Sequence, residues 1–338
     1  MSNAWLPRGL RRIGMILITY LGLSALTSNP HNVVFAQSSE GEPSPLRVQH
    51  VVHVIGLDAT KSNSSGSLVI DGTKMTFIAG DSRTEISLNS IREFSIAHDD
   101  VALIGGAKGT VVGLAPYGAG QLISVIRPAV DTLTLVYTDD NQAAHGTVLL
   151  LHKGKGDDVI RTLAKDGLVP QDYSQPGAIP TGIADRNPAK MERDKSLGRP
   201  SLEVTLPTIG VDGIPAEFPV GIYEELVAKL GSSGMFENVW RQGDNRIGPD
   251  VLILHIDIEQ MKKGSARARA LVPFTGASVI KVDVQLTDPA QKVLLNEQII
   301  AAKRFRGENL DVTKILANKV KKEIAKLSDL NPRTLARE

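Results

Sequence analysis

The sequence predicts an α+β protein: a β-rich block closed by a helix, followed by a second block in which a sheet carries two helices. Three observations carry that prediction. Short runs of alternating apolar and polar residues fill about 47–167, the period of half-buried strands. Two stretches of the second half set apolar residues at helical spacing beside three long strand patterns. Between the blocks, residues 168–200 show neither period. There Pro170, Pro176, Pro180, Pro188 and Pro200 recur among polar residues and glycine, the composition of an extended linker.

The first segment predicts the compartment. Arg8, Arg11 and Arg12 precede an apolar run from Ile13 to Leu26, and a polar stretch then ends in Val34-Phe35-Ala36. That order is a Sec-type signal peptide. The run is shorter than the roughly 20 apolar residues a spanning helix needs, so cleavage after Ala36 is expected, with a retained N-terminal anchor as the alternative. The chain would then begin at Gln37, carry a flexible segment over 37–46, and reside in the periplasm or outside the cell with no transmembrane span. Cysteine is absent, which removes disulfides, thiolate metal sites and the lipid-acceptor residue of a bacterial lipoprotein.

Composition narrows the partners. At 42% hydrophobic and 22% charged residues the chain is ordinary globular material, and a formal net charge of +1 argues against a nucleic-acid partner. Charge is nevertheless uneven: residues 37–167 carry 11 basic and 15 acidic side chains, whereas Lys303 to Lys326 hold eight basic and three acidic. The C-terminal end is therefore the one suited to an anionic surface.

In the first block, Val52 and Val54 mark a strand, and Leu68, Ile70, Met75 and Phe77 flank Asp71-Gly72, a pair that tolerates positive φ and so predicts a hairpin. Ile86, Leu88, Ile91, Phe94 and Ile96 continue with a one-residue phase slip, which predicts a bulge. Leu133, Leu135 and Tyr137, then Val148 and Leu150, form a hairpin around Asp139-Asp140-Asn141. A short helix near Asp157–Lys165 closes the block, with Val159, Ile160 and Leu163 on one face.

The stretch Ser67-Leu-Val-Ile-Asp-Gly-Thr-Lys-Met-Thr-Phe77, then Ile86-Ser-Leu-Asn-Ser-Ile-Arg-Glu-Phe94, then the closing helix resembles the small bacterial PH-like or GRAM-like barrel. The resemblance covers about 100 residues and implies a barrel capped by a helix; the insertion 101–128 departs from it.

The second block, 201–330, opens on Leu202–Leu206 and continues to an amphipathic helix after Pro219, with Tyr223, Leu226, Val227 and Leu230 inward and Gly231 or Gly234 as its stop. Strand patterns follow over Val251–Ile258, Ser278–Thr287 and Val293–Phe305. A helix from Asp311 to Leu327 turns Val312, Ile315, Leu316, Val320 and Ile324 inward, and 331–338 is a tail. An α/β sandwich with a mixed or antiparallel sheet and two helices is expected. Each block has its own apolar set and the linker has none, so independent folding is expected as well.

Glu225-Leu-Val-Ala-Lys-Leu-Gly-Ser-Ser-Gly-Met-Phe-Glu-Asn-Val239, Pro249-Asp-Val-Leu-Ile-Leu254, the Lys262–Arg267 loop, Val282–Asp288 and Lys292-Val-Leu294 resemble a bacterial envelope family of unknown function. That family is similar in outline to transport-auxiliary and curli-secretion lipoprotein domains. Its members are often lipid-anchored, and this chain lacks the cysteine for that route.

Candidate sites each have a plain structural reading. His50 and His53, three apart on a strand, point to opposite faces and do not make a zinc pair. His98-Asp99-Asp100 reads as a polar turn ending a strand, the alternative being a carboxylate-oriented imidazole. Gly231-Ser-Ser-Gly234 is a turn after a helix, with no nucleophile elbow. Gly105-Gly-Ala-Lys-Gly-Thr110 lacks the order and context of a phosphate loop. No catalytic, cofactor or metal residue stands out. Two interaction candidates remain: Gly105, Gly109 and Gly113 at fourfold spacing with Tyr117, and the basic group Lys262, Lys263, Arg267 and Arg269, with Lys303, Arg304 and Arg306 further on. The expected function is a non-enzymatic accessory or binding protein of the cell envelope, whose partner is an envelope protein or an amphiphile. A membrane-surface or lipid-handling role and an unrecognised periplasmic hydrolase are the alternatives.

Overall fold

Why the first sheet forms is legible at its turns. The computed structural model describes residues 44–99, 130–171, 199–264, 277–303 and 310–327, all within one compact unit spanning Pro43–Glu338. The predicted signal peptide, residues 172–198 of the 168–200 linker, the insertion and the tail lie outside the described residues. Strands β1 (Leu46–Ile55), β2 (Ser64–Ile70), β3 (Lys74–Ala79), β4 (Ser82–Ser87), β5 (Ile91–Asp99), β6 (Val130–Thr138) and β7 (Ala144–His152) are followed by helix α1 (Lys155–Lys165). At the Asp71-Gly72 turn, Gly72 has φ +85°, and Asp71 Oδ1 accepts the amides of Thr73 and Lys74 at 3.2 and 3.0 Å. Asp139 does the same between β6 and β7, accepting the Asn141 and Ala143 amides at 2.8 and 2.9 Å.

The strands run in the order β4-β3-β2-β1-β7-β6-β5, every neighbouring pair antiparallel. β1 is shared: Leu46–His53 pairs with β2 and Val52–Ile55 with β7, with a register shift in each ladder. The expected closed barrel is not seen. Among the described residues β4 and β5 have no pairing with each other, so the sheet is an open path. The phase slip predicted within Ile86–Ile96 coincides with two irregularities, a 3-10 turn at Leu88–Ser90 and a register shift at Ile91/Glu93 in the ladder with β6.

α1 starts at Gly154, which has no side chain to cap it. Asp131 of β6 supplies the cap, its Oδ2 accepting the Gly156 amide at 2.8 Å. The helix covers one end of the first core with Val159 and Leu163.

The second sheet is mixed, in the order β10 (Val239–Arg241), β8 (Ser201–Val204), β11 (Val251–Lys262), β12 (Ser278–Thr287) and β13 (Val293–Lys303), with the short β9 (Thr208–Ile209) beside β11. β8 runs parallel to both its neighbours and the last three strands are antiparallel. Helices α2 (Glu217–Gly231) and α3 (Asp311–Lys326) pack together, with α3 over β12 and β13. Pro219 sits in the first turn of α2, where its missing N–H costs nothing. Along α3, Val312, Leu316, Val320 and Ile324 are buried as the period requires.

α2 departs from the amphipathic reading. Phe218, Val220, Ile222, Tyr223, Leu226 and Leu230 are all buried, and so are Glu217 and Glu224. The cause is a second partner: α2 packs on β7 of the first sheet as well as on the second sheet. Val136, Ala144 and Val148 accordingly belong to the same core as the second block, and β6 is buried along its whole length. The two blocks that the linker separates in sequence thus share a seam.

Candidate binding cleft at the seam

The seam is built on close approach. A Cβ on Gly146 would lie 2.6 Å from Val220 Cγ1, so only glycine lets α2 settle on β7. Gly56, with φ +96°, turns the chain out of β1, and a Cβ there would lie 1.7 Å from the Gly146 carbonyl oxygen. With the backbones this near, polar groups of both blocks bond to each other directly. Ala144 donates its amide to the Gln242 carbonyl at 2.9 Å, and the Asn245 amide donates to the Asn141 carbonyl at 2.9 Å. The Tyr223 hydroxyl donates to the Ala144 carbonyl and accepts the Gln242 amide, both at 3.1 Å.

Glu224 and Arg241 lie at the centre. The guanidinium makes a two-pronged contact, Nη1 to Oε1 at 2.7 Å and Nη2 to Oε2 at 2.8 Å, and Oε1 also accepts the Gly146 amide at 2.8 Å. The Glu224 side chain is 5% exposed and that of Arg241 16%, so each charge depends on the other. Burial alone would lower the Arg241 value, but the Glu224 charge and its hydrogen bonds hold it above normal. Arg241 also lies 5.6 Å from the centre of the Tyr223 ring. Burial raises the Tyr223 hydroxyl well above its usual value.

Above this pair opens a cleft of about 380 Å³ between the Gly56–Ser62 loop and α2. Its lining includes His53, Asp58, Thr60, Glu225, Val227 and Arg241. The walls combine the apolar Val227 with carboxylates, so the cleft is acidic and amphipathic in character. Burial raises the Glu225 carboxyl, which the lysines 229 and 314 partly offset.

Two buried histidines flank the loop. His53 accepts the Leu57 amide on Nε2 at 3.0 Å, and its Nδ1 meets the Lys61 carbonyl at 3.2 Å. A carbonyl only accepts, so Nδ1 carries the proton and the ring is neutral. Burial lowers the His53 value, against the opposing Lys61 bond. His145 is 6% exposed and stacks on Tyr137 with ring centres 5.3 Å apart. Neither ring nitrogen has a hydrogen bond: Nε2 is 3.5 Å from Asp139 Oδ2 and Nδ1 3.9 Å from Asp58 Oδ2. Burial, then the Arg241 charge, pull His145 below its usual value, and the three carboxylates around it oppose them.

Of the residues singled out from the sequence, Gly105, Gly109, Gly113, Tyr117, Arg267 and Arg269 lie outside the described residues, as do Arg304 and Arg306. Lys262 ends β11 opposite Val279, and Lys263 lies 3.7 Å from the buried Glu217 carboxylate. Lys303 pairs with Asp311 at 3.1 Å. His50 and His53 do separate, one exposed at a bulge with φ +57° and one buried. His98 is not in a turn: it lies in β5, and its Nδ1 is 2.9 Å from Asp131 Oδ1, so the orienting carboxylate comes from the neighbouring strand. Gly231–Gly234 is the turn expected, Ser233 accepting the Met235 amide at 3.1 Å. Among the described residues no group of three or more ligands could hold a metal ion, and no helix is long and apolar enough to cross a membrane.

The sequence reading passed over Glu224, Arg241, His145 and Asp58. One signal was available. Glu224 stands four positions after Val220 on the apolar side of its helix, where a charge demands a buried partner.

No curated protein matches the chain. A solved structure described as a neuraminyllactose-binding hemagglutinin homolog from Helicobacter pylori is 11% identical, covers 42% of this chain and 92% of its own, and superposes with a TM-score of 0.26, a likeness too small to carry an argument. The C-terminal region, residues 214–333, matches the family described as a domain of unknown function, DUF4410.

Proposed function

We propose that this chain is a non-catalytic accessory or binding protein of the bacterial envelope, exported by a signal peptide cut after Ala36, which takes a partner in the cleft between the Gly56–Ser62 loop and α2. The observation that carries the reading is how the cleft floor is used. Both oxygens of Glu224 and both terminal nitrogens of Arg241 are engaged with each other, and the Tyr223 hydroxyl is held by two backbone groups. Groups so engaged build a rigid, shaped surface and are poor proton carriers or nucleophiles. The strand order, with β1 shared between two halves and α1 after the last strand, supports a PH-like arrangement of residues 47–167 left open at β4 and β5. The outline likeness of residues 201–330 to transport-auxiliary and curli-secretion domains favours the same accessory role.

A photo-crosslinking residue placed at Thr60, on the cleft rim, tests this in the native envelope, with Lys165 at the far end of α1 as control. A discrete adduct from Thr60 and none from Lys165 is expected. Equal labelling from both, or none from Thr60, would count against the cleft.

A membrane-surface role is the second reading. Lys314, Lys319 and Lys322 are exposed on α3, and Lys319 reaches the Ile300 carbonyl on the outer edge of β13. Anionic vesicles should bind the chain in a salt-sensitive way if that face is used.

A further inference from the structure

The Gly56–Ser62 loop is held by few bonds. Leu57 is its buried apolar anchor, at 5% exposure, and the Leu57 amide donates to His53 Nε2. At its far end the Lys61 carbonyl accepts His53 Nδ1–H at 3.2 Å and the Ser64 amide and hydroxyl at 3.2 and 2.7 Å, and four further ties run to β4: Thr60 Oγ1 to the Ser82 and Thr84 hydroxyls at 3.2 Å, Ser82 to the Ala59 carbonyl at 3.3 Å and Thr84 to the Asp58 carbonyl at 3.1 Å. All four involve surface hydroxyls. The loop therefore engages both nitrogens of His53, Nε2 through the Leu57 amide and Nδ1 through the Lys61 carbonyl, and sets Asp58 3.9 Å from His145 Nδ1.

From this geometry we infer that the Gly56–Ser62 loop is an acid-released cover, which opens when His53 and His145 take up protons and so reshapes the cleft. His53 Nε2 cannot accept the Leu57 amide once it carries a proton, because two donors then face each other. The charged ring would also sit buried beside Phe77, 6.0 Å away, with the Lys61 and Ile55 carbonyls and then the Glu224 charge as partial compensation. Around His145 stand Asp58 from the loop, Asp139 from the β6–β7 turn, Tyr137 from β6, Glu224 from α2, Arg241 from β10, and Asp244 just beyond it. The carboxylates favour its charged form, yet burial and the Arg241 charge oppose it while the loop is closed. Opening lets water reach both rings, so protons stabilise the open state. The inference holds or fails whatever the cleft binds, because its test reads the loop and no ligand.

Amide exchange over Leu57–Ser62 in the full chain, at about pH 7.5 and about pH 5 with the intrinsic rate corrected, decides it. Between the closed and open values of each histidine the opening equilibrium grows about tenfold per pH unit. Protection of Leu57 should fall by at least about tenfold and stay below that of the β6 and β7 amides at both pH values, since the loop opens without global unfolding. The pair His53→Gln, whose carbonyl can still accept from Leu57, and His145→Phe, which keeps the stack on Tyr137, should abolish the response. Unchanged protection in the parent chain, Leu57 protection equal to that of β6 and β7 at both pH values, or a double variant that still responds overturns the inference. Should that variant fail to fold, the Leu57 amide resonance of the parent chain decides: it should titrate with the His53 ring, and a titration unconnected to that ring overturns the inference.

Discussion

The Glu224 carboxylate on α2 accepts the Gly146 amide on β7 at 2.8 Å, joining residues 78 positions apart across the boundary between the two blocks. The same carboxylate holds Arg241 of β10. One buried acid thus ties three elements together, and its removal should be felt in all of them.

Arg241→Ala leaves Glu224 charged and buried without its counter-ion, and a cost of about 3–5 kcal/mol is expected. Replacing both, Glu224→Leu with Arg241→Met, removes the uncompensated charge and should recover part of that loss, less the cost of an unpaired Gly146 amide. Chemical denaturation of the three proteins checks the order. Equal stability of Arg241→Ala and the parent chain would show that the pair is not buried as described.

Gly146→Ala places a methyl group against Val220 and should destabilise by about 1–3 kcal/mol through overpacking. Val220→Ala in the same chain should give some of this back, since the clash lies at the end of a side chain. At Gly56 no such relief is available, because the obstacle is the Gly146 backbone and φ is positive. Gly56→Ala should therefore be the more damaging substitution, read as a lower urea midpoint.

Both His53 and His145 have folded values below their usual 6.5. The unfolded chain then binds protons that the folded chain does not, so stability is full above about pH 6.5 and declines as pH falls toward the folded values. Urea midpoints between pH 7.5 and 5 should drop, and less steeply in His145→Phe. A flat profile would contradict the neutral, buried state of both rings.

Asp131→Ala should cost about 1–3 kcal/mol by orphaning the Gly156 amide at the start of α1. The His98 resonances should shift as the ring loses its carboxylate, which near-neutral NMR detects directly.

N-terminal sequencing of the protein recovered from the envelope should begin at Gln37. A Met1-started chain in the membrane pellet would favour the retained anchor.

Where residues act locally, the sequence was a good guide. Asp71-Gly72 and the Asp139–Asn141 turn fix their hairpins through side chains within four positions, and the β12 limits follow from strict alternation of Ile280, Val282, Val284 and Leu286. What escaped is long-range. The alternation in β6 marks Leu133 and Leu135 but cannot say that the opposite face is covered too, and nothing near Gly154 announces a cap supplied by Asp131. Nothing in the sequence marks His145, because what surrounds it, Tyr137 and the Arg241 side, is brought there by the seam.

The seam itself is tested most directly by unfolding. Separate apolar sets and an aperiodic linker predict independent halves, whereas a shared core through α2 and β7 calls for joint loss. Pulse-labelled hydrogen exchange of the Gln37–Glu338 protein across a urea titration should be read on β2–β3 and on β11–β12, with Trp240 fluorescence reporting from β10 beside the seam. All three should change at one urea midpoint. Loss of protection in β2–β3 at clearly lower urea, with β11–β12 and Trp240 still native, would show that the halves fold apart and that the seam is incidental.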